Sequence, residues 1–180
     1  IAHASKTDWS AYGIPSAHPS VVKGEAGSPY AITDYYDVAA ELAEDIPSRM
    51  AEFEALVERT HTAGLRVVID FVPNHLSRCY HGASTAASAA GAPSAAAAGA
   101  LFGAEDDPTQ AFCPQNNFYY LPAEELHLPD AAQASATAPY REYPAKATGN
   151  DCFSAWPSVN DWYDTVKLNY GVDYTSGRTY

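Results

Sequence analysis

The sequence predicts an α/β fold, and three observations carry that expectation. An amphipathic helix spans about residues 47–63 and is closed by Gly64. The β-branched run Val67, Val68, Ile69 follows at once, and such runs favour a strand buried on both faces. That run ends in Asp70, Asn74 and His75, polar groups unusual at the end of a buried strand. A helix feeding a parallel-type strand with a polar C-terminal end is the layout of an α/β enzyme's active face.

Residues 1–28 show no period of two or 3.6. His3, Trp9, Tyr12 and His18 are scattered among Ser, Gly and Pro, which reads as loop with a degraded strand around 12–14. The stretch 28–38, Ser-Pro-Tyr-Ala-Ile-Thr-Asp-Tyr-Tyr-Asp-Val, alternates polar and aromatic residues. It suits either an exposed loop pinned by tyrosines or a sugar-facing loop, since tyrosine offers a flat apolar face and a polar tip. In the helix, Met50, Phe53, Leu56, Val57 and Thr60 form one stripe, while Arg49, Glu52, Glu54, Glu58 and Arg59 take the wet side. Asp45 is the expected N-cap, Pro47 suits the first turn, and Gly64 supplies the left-handed C′ position. Pro73 cannot donate a ladder hydrogen bond, so the strand is expected to stop there.

Beyond Leu76 regular structure fades. Residues 83–100 are an Ala-rich low-complexity tract broken by Ser, Gly and Pro, expected to form a loop with no apolar face to dock. Residues 112–180 are rich in aromatics, Asn and Pro, with 166–170 alternating like a short strand. Two parts are expected: 1–75, holding the tyrosine-rich loop, the helix and the strand, and 76–180, a long loop-rich insertion.

The 47% hydrophobic content is largely alanine, so the useful apolar mass lies in 13 Tyr, 6 Phe, 3 Trp and a modest set of aliphatics. A net charge of −12 and a pI near 4.7 disfavour nucleic acid or an anionic membrane surface as partner. An uncharged ligand such as a carbohydrate fits better. No run approaches the ~18 apolar residues of a membrane span, and no basic-then-apolar leader is visible. The chain starts at Ile1, consistent with processing or with a piece of something longer. Cys79, Cys113 and Cys152 allow one disulfide with a free thiol, or three free thiols.

Asp70, Asn74 and His75 admit three readings. Carboxylate and amide oxygens suit Ca²⁺; Asp70 accepting and His75 donating suit a polar ligand; or Asp70 binds loop N–H groups while His75 packs on Phe71. Cys79 near His75 and His81 raises a thiol–imidazole or metal cluster, without the regular ligand spacing such sites show.

The phrase Val68-Ile69-Asp70-Phe71-Val72-Pro73-Asn74-His75 resembles the first short conserved region of the α-amylase family, glycoside hydrolase family thirteen, in which it is the third barrel strand. Residues 28–36 resemble that family's Gly-Tyr-Asp-Ile-x-Asp-Tyr loop after the second strand. The Asn-Asn-Phe-Tyr-Tyr phrase at 116–120 and Lys-Leu-Asn-Tyr-Gly at 167–171 are similar to those of a bacterial branch, so the resemblance covers roughly 24–174. It implies an incomplete TIM (β/α)8 barrel segment with a long irregular, loop-rich subdomain. It also implies that Tyr30 stacks under a sugar, that His75 bonds the sugar's hydroxyls, and that Asp70 steadies the charged network of the site. Asn74 would match an asparagine that ligates a structural calcium in many relatives. Ala31 stands where many α-glucosidase relatives carry a sugar-binding Asp, so recognition of a terminal glucose by that route does not carry over.

The family's retaining mechanism needs a nucleophilic carboxylate and an acid/base carboxyl flanking the bond. No Gly-x-Arg-x-Asp phrase for the nucleophile occurs in the chain, and the first barrel strand has no counterpart. Glu124-Glu125, Asp106-Asp107 and Asp161 with Asp164 lie in loop sequence and read as solvated surface. The expectation is therefore a fragment of a retaining glycoside hydrolase acting on α-glucosidic bonds of starch-like glucans. It would supply part of the cleft, be inactive alone, and need the rest of the barrel to fold fully. The alternative is a non-catalytic carbohydrate-binding module that stacks sugars on Tyr30, Trp156 and Trp162.

Overall fold

A computed structural model describes residues 1–82, 102–134 and 136–180. The Ala-rich tract at 83–100 lies outside the described residues.

The helix forms where its sequence says. Helix α1 is Arg49–Thr62, preceded by a 3-10 turn over Ile46–Ser48. Its C-terminus closes as a Schellman motif: Gly64 adopts φ 76°, its N–H donates to the His61 carbonyl, and the Leu65 N–H donates to that of Thr60. The N-terminus departs from expectation. Asp45 makes no capping bond to the turn's backbone and instead accepts from the Ser48 hydroxyl. Neither the turn nor α1 carries a side-chain cap; the Glu52 carboxylate instead reaches back to the N–H groups of Glu44 and Asp45 at 2.9 and 2.7 Å, tying the first turn of the helix to the chain before it. Arg49 grips Asp37 through two N–H groups at 2.7 and 2.6 Å, tying the helix start to the loop after residue 34. The apolar stripe is present, yet no residue of α1 is buried.

The predicted strand does not form. Residues 65–74 run without strand pairing, and Val68 is 91% exposed, with Leu65, Ile69 and Phe71 also exposed. A β-branched run favours extended backbone, but a parallel strand exists only when neighbours satisfy its ladder. No parallel neighbour is present among the described residues, so the segment stays unpaired and largely exposed. The α/β class and the incomplete barrel are corrected accordingly. The described residues hold two helices and four two-stranded antiparallel sheets, and no closed barrel.

Those sheets are short and joined across long sequence distances. Strand β1 (Ala2–Ala4) pairs with β2 (Ser28–Asp34), Ala2 opposite Asp34 and Ala4 opposite Ser28, through irregular register. Both were expected to be loop. Gly27 makes the pairing possible: a Cβ there would sit 2.6 Å from the Ala4 carbonyl oxygen. Strand β3 (His75–Ser77) begins just after Pro73 and pairs antiparallel with a later strand, Thr165–Lys167, placing His75 opposite Lys167. Between them come β4 (Tyr120–Leu121), the short helix α2 (Asp130–Gln133) and β5 (Ala145–Lys146), with β4 and β5 paired. Thr165–Lys167 is thus β6, starting one residue before the expected alternation. Strands β7 (Val172–Asp173) and β8 (Arg178–Thr179) close the chain as a hairpin.

The core lies mostly in the part expected to be loop-rich. Val21, Leu121, Leu126, Leu128, Ala145, Ala155 and Tyr163 pack in one cluster, and Leu76, Phe118, Tyr120 and Val166 in a second. The same part of the chain holds a buried ion pair. The Arg78 guanidinium donates to Glu142 at 2.5 Å, to the Tyr163 carbonyl at 2.6 Å and to that of Lys146 at 3.1 Å. All three cysteines are free thiols. No helix is long and apolar enough to cross a membrane among the described residues.

Candidate functional site

Pairing of β3 with β6 draws the 65–74 segment, β2 and the loop before β6 around one hollow of about 710 Å³. Tyr30, Asp70, Asn74 and His75 all line it, as do Lys23, Ala31, Trp162, Asp164 and Thr165. This segment is held in place by two tyrosines: the Tyr35 hydroxyl donates to the Val72 carbonyl and the Tyr170 hydroxyl to that of Pro73.

His75 is the fixed point. Its ring is 4% exposed, Nε2 lies 3.1 Å from the Tyr30 carbonyl oxygen and Nδ1 lies 3.0 Å from the Asn74 amide nitrogen. A carbonyl only accepts and an amide N–H only donates, so the consistent assignment is a neutral ring protonated at Nε2. Burial is the largest influence and holds the imidazole pKa below its ordinary value; Lys167 acts the same way, against the Tyr30 carbonyl and Asp164. The ring is therefore neutral at pH 7. Trp162 lies against it, ring centroids 5.2 Å apart.

Tyr30 projects from β2 with 61% of its surface exposed, while its backbone holds His75. Asp70 is exposed at the rim and has no hydrogen-bond partner among the described residues. Ala31 is buried and offers the hollow only a methyl group.

Asn74 is fully engaged inside the protein. Its amide nitrogen donates to the Gly149 carbonyl at 2.8 Å, and its amide oxygen accepts from the Lys167 ammonium. That ammonium, itself buried, also meets the Asp151 carboxylate at 2.8 Å. The oxygen expected to ligate calcium thus already faces a cation, and no group of three His, Cys, Asp or Glu side chains able to hold a metal occurs among the described residues. The residues present do not fit a calcium ion at Asn74. The melting temperature is accordingly expected to be the same in millimolar Ca²⁺ and in excess EDTA; a calcium-dependent rise of several degrees would contradict the assignment.

The carboxylates nominated from sequence fall in different places. Asp106 accepts from the backbone N–H groups of Asn117 and Phe118 and from the Tyr120 hydroxyl, and Asp107 from Thr109 and Gln110. Asp161 accepts from Asn150 and Ser158, and those bonds hold its pKa below the ordinary value. They stitch loops together and are more than solvated surface. Glu125 pairs with Arg141 at the surface. Asp164 is buried at the hollow, which its loop sequence did not suggest. The Cys79 thiol is pushed up in pKa by burial, and the cysteine's carbonyl oxygen lies 3.3 Å from His81 Nδ1. Lys167 and Gly149 had no signal in the sequence, because each matters only through contacts with residues about 75 to 93 positions away.

No protein-family model, curated protein or solved structure matches the chain. The chemistry of the hollow therefore rests on its own residues: an exposed tyrosine, a tryptophan, a neutral imidazole and two carboxylates.

Proposed function

We propose that the hollow is a carbohydrate-binding cleft of a retaining glycoside hydrolase that acts on α-glucosidic bonds of starch-like glucans, with this chain supplying part of that cleft. The observation that carries the reading is the meeting of Tyr30, from one motif, with Asp70 and His75, from another 40 to 45 positions later, around a single cavity. Tyr30 and Trp162 offer apolar faces to the C–H side of a sugar ring. Asp70 accepts hydroxyl hydrogens, and the neutral His75 contributes its ring edge. The acidic surface repels phosphates and leaves neutral glycans unaffected.

Catalysis by this route needs two carboxyl groups held about 5–5.5 Å apart across the bond. Asp106, Asp107 and Asp161 are consumed by loop bonds, and no nucleophile phrase is present, so the chain by itself is expected to be a binder without hydrolytic activity. Titration with maltooligosaccharides should show saturable binding, weakened at least tenfold by Tyr30→Ala. Nitrophenyl maltoside should not be hydrolysed. Measurable turnover, or binding indifferent to Tyr30→Ala, would overturn the reading.

A second reading, a non-catalytic carbohydrate-binding module, is favoured by one feature away from the hollow. Trp156 is exposed and stacks flat on His127, centroids 3.7 Å apart, presenting its other face to solvent.

A further inference from the structure

Asp164 is only 6% exposed, and its carboxylate has no hydrogen bond or ion pair among the described residues. Its backbone is occupied, since its carbonyl accepts from the Arg78 N–H at 3.1 Å. The side chain is not. No buried side-chain nitrogen or oxygen among the described residues lacks a partner, so the Asp164 oxygens are the part of this residue that still opens to the hollow.

The donors around it bond to other groups. The Lys23 ammonium donates to the Asp161 carbonyl at 2.9 Å and sits over the Tyr163 ring. The Arg78 guanidinium is committed to Glu142, Tyr163 and Lys146, and Lys167 to Asn74 and Asp151. The Thr165 hydroxyl donates to the Trp162 carbonyl and accepts from the Gly149 N–H. Both His75 nitrogens are engaged. Asp164 therefore faces the hollow as a pair of acceptor oxygens whose donors must come from whatever fills it.

We infer that Asp164 is a recognition residue of the hollow, its two carboxylate oxygens accepting hydrogen bonds from adjacent hydroxyls of a neutral sugar. This deepens the carbohydrate reading and rests on it. A vicinal diol presents two O–H donors side by side, which matches the two oxygens of one carboxylate. The geometry places this acceptor beside the Trp162 ring and His75, so the ring that stacks and the group that reads hydroxyls contact the same sugar unit.

Asp164→Asn keeps the shape, removes the charge and turns one acceptor into a donor. Calorimetric titration of wild type and variant with maltotriose, together with their thermal melts, tests the assignment. The expected result is affinity at least tenfold weaker with a melting temperature no lower than that of wild type, because the carboxylate makes no bond within the fold. Affinity unchanged in the variant, while wild type and Tyr30→Ala differ, overturns the role of Asp164 and leaves the carbohydrate reading standing. A lowered melting temperature also overturns it, by showing that the carboxylate serves the fold. No binding by the folded wild type overturns both.

Discussion

Arg78→Ala is expected to cost about 3–5 kcal/mol of stability, enough to unfold much of a marginal domain. The arginine side chain is fully buried and touches three strands' worth of chain: it neutralises Glu142 and satisfies the carbonyls of Tyr163 and Lys146. Removing it takes the closest countercharge from Glu142, itself almost fully buried, leaving it the Tyr140 hydroxyl at 3.1 Å, the Lys146 N–H at 2.8 Å and the Lys146 ammonium at 3.8 Å, and strands two carbonyls. The pH dependence separates this account from simple loss of packing. Burial alone would raise the Glu142 pKa, but Arg78 and then Lys146 outweigh it and hold the carboxyl below its ordinary value near 4.5. A carboxyl lowered by folding contributes stability above its unfolded pKa and loses it as pH falls through the folded one. In the variant burial dominates, the folded pKa rises, and protonation relieves the strain. The stability gap between wild type and variant should therefore be widest near pH 7 and narrow below about pH 4.5. Urea unfolding at several pH values measures it, and a gap independent of pH would contradict the ion-pair account.

Gly149→Ala should reach both fold and site from a position whose φ any residue can adopt. A Cβ at 149 would lie 2.6 Å from the Thr165 hydroxyl and 2.8 Å from Cβ and Cγ of His75. Both contacts are inside van der Waals limits, and both neighbours are fixed. Thr165 is held by the Gly149 N–H and the Trp162 carbonyl, His75 by Tyr30 and Asn74. Overpacking of this kind costs about 1–3 kcal/mol. Relief requires Thr165 and His75, both in the wall of the hollow, to move, so the variant should lose sugar binding by more than its stability loss explains. A folded Gly149→Ala variant that binds maltotriose like wild type would show that His75 does not shape the hollow.

What was legible in the sequence was local. Helix α1 and its Gly64 closure are written in spacings of three and four and in one glycine, and both are present. The β-branched run 67–69 favours a strand, but a strand is a property of partners, and none was encoded nearby. Strands β1, β2 and β3 were missed because each is defined by a mate far along the chain. His75 finds Lys167 across 92 positions, and Ala4 finds Ser28 only because Gly27 lets the backbones touch. Tyr30, Asp70, Asn74 and His75 were nominated by motif and line the same hollow. Asn74 could not be read correctly without Lys167, whose ammonium occupies the amide oxygen.

The most direct test is a maltohexaose titration of isotopically labelled protein, followed residue by residue through backbone amide NMR shifts. The account expects saturable shifts concentrated at Tyr30, Asp70–His75 and Trp162–Thr165, with His127 and Trp156 unmoved. Shifts confined to His127 and Trp156, or no saturable shifts anywhere, would contradict it.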